Sequence, residues 1–128
     1  TTPITAQATV ETANSAELSI SKALSPTTVT ENGQITYTFV ISNTGNTEAT
    51  ATGNVVVTDT FAPILRNIVT YNGTAWTEGT NYTYNAATGV FTTLAGQITV
   101  PAASFTQNTD GTFTVTPGTT TLVITGTV

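Results

Sequence analysis

Two cations and seven carboxylates are all the side-chain charge in this chain of 128 residues, which has no Cys, His or Met. Side-chain chemistry therefore has few candidates, and Lys22 comes first. It shares strand phase with Leu18, Ile20 and Leu24, so a strand over residues 17–24 aims its ammonium at the core. Asp59 shares phase with Val55, Val57 and Phe61, and Asn43 with Phe39 and Ile41. A buried ammonium is costly unless paired, so Lys22, Asp59 and Asn43 are expected to be neighbours. Three arrangements fit these residue types. One is a buried Lys22–Asp59 ion pair with Asn43 adding a hydrogen bond. Another is an isopeptide bond, formed when a desolvated, neutral Lys22 attacks the Asn43 or Asp59 carbonyl while a nearby carboxyl group moves the proton. In the third, all three sit at a solvated rim.

The missing residue types remove whole classes of chemistry. Zinc fingers, thiol nucleophiles, Ser-His-Asp triads, haem sites and His proton shuttles need Cys or His. The carboxylates are too dispersed for a calcium loop, so no metal and no cofactor is expected. No acid, base and nucleophile converge at any defensible spacing, so no catalytic residue is assigned and an enzyme is not expected. With two cations and a net charge of −5, nucleic-acid backbones are not expected partners. The longest aliphatic runs, such as Val55–Val57, are far too short to cross a bilayer, so membrane insertion is not expected either. Trp76, Tyr82 and Tyr84 fit either core packing or a sugar-stacking platform. Asn72-Gly73-Thr74 and Asn81-Tyr82-Thr83 match the glycosylation sequon, a pattern that arises readily by chance where Asn and Thr abound. Arg66 reads as a surface residue.

The elements that must position these groups are strands. Roughly a quarter of the residues are Thr, a β-branched type suited to half-buried pleated surfaces. Alternation is clear over residues 17–24 and 34–43, where Ile35, Tyr37, Phe39 and Ile41 point inward. A third strand is read over 54–61. Shorter ones follow at 67–71, 75–77, 82–84, 90–94, 97–100, 104–107 and 112–115, and the last covers 120–128. Asn72-Gly73 marks a hairpin turn. No stretch reads as a helix. Short strands separated by regular turns predict an all-β fold, an immunoglobulin-like antiparallel β-sandwich with Greek-key connections.

Leu18–Pro26, Asn32–Asn46 and Val55–Phe61 together resemble the bacterial surface-protein repeat called domain of unknown function eleven. The resemblance is strong over about residues 17–61. It implies an immunoglobulin-like sandwich in an extracellular wall, appendage or adhesin protein, without catalytic activity. Composition points the same way, because Thr-rich, charge-poor, cysteine-free chains are more often extracellular. The beginning Thr1-Thr2-Pro3 reads as a processed or trimmed end.

Residues 1–16 precede the first family-like strand, leaving 17–128 as the sandwich domain. Ile4, Ala6, Ala8 and Val10 form a period-two apolar stripe, with Thr5, Gln7, Thr9 and Glu11 opposite. Such a stripe suits a sheet edge or a shallow groove, either in its own sheet or in a neighbouring copy. The expected function is a structural subunit of an extracellular bacterial fibre, appendage or surface layer, a homopolymer built by strand addition through this arm. The alternative is an adhesin or carbohydrate-binding module of a longer surface protein.

Overall fold

Residues 34–43 carry the strongest alternation in the chain, and they fold accordingly. Ile35, Tyr37, Phe39, Ile41 and Asn43 are buried, while the residues between them stay at least partly open to solvent. The computed structural model describes residues 15–128. Its nine strands are β1 (Leu18–Ser25), β2 (Gln34–Asn43), β3 (Thr58–Thr60), β4 (Arg66–Tyr71), β5 (Tyr82–Asn85), β6 (Val90–Thr93), β7 (Ser104–Gln107), β8 (Phe113–Thr116) and β9 (Gly118–Thr127). All the strand pairings are antiparallel. One sheet has the order β1-β2-β9-β4 and the other β3-β6-β5, while β7 and β8 pair only with each other. The fold is an all-β sandwich.

Aromatic side chains join the two sheets. Tyr37 of β2 stacks on Phe61, just after β3, with ring centroids 4.4 Å apart and planes 9° from parallel. Phe61 meets Phe91 of β6 at 5.7 Å, and Phe91 meets Tyr82 of β5 at 5.1 Å. Leu122 and Ile124 of β9 complete the β2 side of this core, and Ile98 and Val100 come from a loop. Burying each such side chain contributes about 1.5–3 kcal/mol.

Four strand expectations change. The third strand is shorter than residues 54–61, because Ala51–Gly53 forms a 3-10 turn and Asn54 takes a left-handed conformation. Val57 still joins β6 through Thr93: its carbonyl accepts from the Thr93 amide at 2.9 Å, and its amide donates to Thr93 Oγ1 at 2.9 Å. Residues 75–77 reduce to a single bridge, Ala75 to Tyr71, closing the turn in which Gly73 alone has positive φ. Residues 97–100 form no strand; Val100 pairs singly with Ala49. β9 starts at Gly118 rather than Thr120, and glycine fits there because the Pro101 carbonyl occupies the space of a Cβ. Among the described residues, no helix is long and apolar enough to cross a membrane.

Candidate functional site: the β1 flank

Position in the sheet decides what β1 can do. It pairs with β2 on one side only, from Leu18 opposite Asn43 to Ser25 opposite Thr36. Its other edge has no strand partner among the described residues. Leu18, Ile20 and Leu24 have the inward phase, yet they are 42%, 54% and 38% exposed. The inward phase of this edge strand is thus only partly covered.

Lys22 follows the same geometry, which corrects the expectation of a core ammonium. Its side chain is 37% exposed, on a strand whose residues are all exposed. Nζ nevertheless reaches Asp59 Oδ2 on β3 at 2.6 Å, and the Asp59 side chain is 20% exposed. Asp59 Oδ1 accepts from the Thr60 amide at 2.9 Å. Nζ also lies 4.9 Å from the centre of the Tyr37 ring, a cation–π distance. Burial raises the Tyr37 phenol above its ordinary pKa, and the Lys22 charge partly opposes that rise. The pair thus clasps the edge of one sheet to the edge of the other.

Asn43 is not part of this cluster. It lies opposite Leu18, whereas Lys22 lies opposite Phe39, four positions along the ladder or about 13 Å away. The side chain is fully buried, and both its oxygen and its nitrogen are hydrogen-bonded. Oδ1 accepts from the Glu17 amide at 3.0 Å and the Gly45 amide at 2.9 Å, and Nδ2 donates to the Thr47 carbonyl at 2.8 Å. Its work is to hold the turn after β2 against the residues leading into β1. Ser15 joins the same turn by donating its amide to Asn46 Oδ1 at 3.1 Å. Gly45 passes so close that a Cβ there would strike the Ser15 carbonyl.

Among the described residues no other carboxylate pairs with Lys22. The geometry is that of an ion pair, without the second carboxyl group an isopeptide reaction uses to move its proton. The arm residues Ile4, Ala6, Ala8 and Val10 lie outside the described residues.

Sequence reasoning missed a groove between the two sheet edges. Leu18, Ile20 and Ile41 line one wall and Val55, Val56 and Val57 the other, around a volume of about 200 Å³. Val56 is 46% exposed. The signal was present in the in-phase Leu18 and Ile20 and in the triple-valine run, but Leu18, Ile20, Val55 and Val57 read as core.

The aromatic trio forms no platform. Tyr82 is buried in the stack, and Trp76 packs against the core. The Tyr84 hydroxyl accepts from the Leu65 amide and donates to the Leu65 carbonyl, both at 2.8 Å. Arg66 is exposed, and its guanidinium donates to Asn32 Oδ1. No group of three or more carboxylates suited to a metal ion occurs among the described residues. Comparison with protein-family models, with curated proteins and with solved structures found no match.

Proposed function

We propose that this protein is a structural subunit of an extracellular bacterial fibre, appendage or surface layer, joined to copies of itself by β-strand addition through its N-terminal segment. One observation carries the reading: among the described residues β1 is an edge strand with no partner on its outer side, and its apolar phase, Leu18, Ile20 and Leu24, stays open to solvent. Long, apolar, uncovered edges are an aggregation hazard that folded proteins ordinarily blunt with charge, proline or a covering segment. Within β1, Lys22 is the one charged residue, and Asp59 neutralises it. A strand added to such an edge gains main-chain hydrogen bonds and seats alternate side chains in a groove. The alternating stripe Ile4, Ala6, Ala8, Val10 has the pattern that this requires.

The test is electron microscopy of the purified protein beside a variant lacking residues 1–14. Filaments from the intact chain and folded monomers from the shortened one are the expected pair of results. A shortened chain that still forms filaments overturns strand addition by the arm. An intact chain that stays monomeric at all concentrations favours the alternative, an adhesin module.

A further inference from the structure

We infer that the acceptor for the N-terminal segment is the groove between β1 and Val55–Val57, and that its occupant is residues 4–10 of a second copy. The inference rests on the proposed assembly by strand addition and specifies where it occurs. The groove volume of about 200 Å³ lies below the ~300–1,000 Å³ of small-molecule sites, so it suits inserted side chains better than a free ligand. Its walls are apolar: Leu18 and Ile20 on the β1 side, Val55 and Val56 on the other. Beyond Ile20 the Lys22–Asp59 contact joins the two edges and closes that end. An incoming strand that pairs with β1 can therefore seat side chains between Leu18 or Ile20 and the valines, but no deeper than the clasp.

The way the chain enters the fold favours a second copy over the chain's own arm. Ser15 and Glu17 donate their amides to the Asn46 and Asn43 side chains, and the Glu17 carbonyl accepts from the Thr44 amide at 3.0 Å. These bonds continue the β1–β2 ladder through residues 15–17, in line with β1 and not toward its other edge, which has no strand partner among the described residues. An arm returning to that edge of its own molecule must reverse within the few residues before Ser15. A turn of even length places Ile4, Ala6, Ala8 and Val10 on the solvent face, because a one-residue change of register exchanges the faces. Three-residue turns restore the face: one at 12–14 sets Ala8 against Leu18 and Ala6 against Ile20, and one at 11–13 sets Ala6 against Leu18 and Ile4 against Ile20, so neither brings Val10 to Leu18 or Ile20. An arm from another copy has no such constraint, and its register is free to seat Ile4 or Val10 there.

The natural chain has no cysteine, so introduced pairs report contacts without background. One full-length protein carries Val56→Cys and a second carries Ile4→Cys or Val10→Cys; they are mixed, oxidised and read by intact mass. The expected product is a disulfide between chains, lost when the donor is Thr5→Cys or Thr9→Cys on the opposite phase. A third acceptor, Val69→Cys, tests β4, the other edge of the same sheet, where Val69 is exposed. Filaments with donor bonds to Val69→Cys and none to Val56→Cys overturn the groove assignment and leave arm-mediated assembly standing. An intrachain bond in an Ile4→Cys/Val56→Cys double variant, with no bond between chains in the mixture, overturns the second-copy occupant. Bonds between chains at Val56→Cys in small oligomers, without filaments, support the groove while overturning the fibre. All these substitutions sit at exposed positions or in the arm, so circular dichroism should match that of the parent chain.

Discussion

Asn43 and Lys22 are polar residues on the inward phase of paired strands, and they do different jobs because of where each lies along its strand. Lys22 holds an ion pair across the open flank, so its value lies in what Asp59 loses without it. Asp59 Oδ2 is shielded from solvent and has no other partner among the described residues. Lys22→Met should cost about 1–3 kcal/mol in urea unfolding, the range for an orphaned buried acceptor. Adding Asp59→Asn should recover part of that loss, and the intact mass of the parent chain should equal its sequence mass. A mass short by one water would instead place an amide between the two side chains. Two buried threonines give a sharper contrast. Thr93 Oγ1 accepts the Val57 amide, whereas Thr70 Oγ1 is buried without a partner. Thr93→Val should therefore destabilise by about 1–3 kcal/mol, while the same change at Thr70 should be neutral or stabilising. Thermal or urea melts of the two variants decide it. Phase along the sequence brought Lys22 and Asp59 together correctly. It could not exclude Asn43, because a period of two reports which face a residue occupies and not its height on the strand.

Strands with strict alternation were the most legible elements: β2 has the predicted bounds, and β1 differs by one residue at each end. Where side chains take over the pairing, the pattern misleads. Val55–Val57 reads as strand, yet Val57 alone is tied to β6, partly through the Thr93 hydroxyl. The exposure of β1 was illegible for another reason. Apolar phase records what a strand presents, while the width of the opposing sheet decides whether that face is covered. The entry to β1 is a second element set by contacts distant in sequence. Asn43→Ala would leave the Glu17 and Gly45 amides and the Thr47 carbonyl without their partner. We expect a loss of at least about 1–3 kcal/mol. Hydrogen exchange should locate it, with Glu17 and Gly45 exchanging faster while the amides in the middle of β2 and β9 keep their protection. Uniformly faster exchange would mean that Asn43 supports the whole sandwich rather than the root of β1.

Across the whole molecule, β9 joins β2 to β4, and the order β1-β2-β9-β4 unites the two ends of the described chain. No local pattern encodes that order, since alternation is the same whichever strand lies alongside. Charge, by contrast, is legible from composition alone and bears on assembly. Each copy carries a net charge of −5 and has its sequence pI near 4.1. Copies at neutral pH therefore repel one another, while the flank proposed to join them is apolar. Salt screens such repulsion, with a Debye length of about 10 Å at 0.1 M and about 3 Å at 1 M. It leaves an apolar contact intact or strengthens it, depending on the anion. Light scattering should accordingly show faster assembly of the intact chain as sodium chloride rises at pH 7. Acidification toward pH 4.1 at low salt should produce the same acceleration, because net charge approaches zero there. Subunits held by opposite charges across their interface would respond in the other direction, assembling more slowly and dissociating as salt rises. That opposite response would exclude the β1 flank as the main contact, since its one ion pair, Lys22–Asp59, is closed within a single copy.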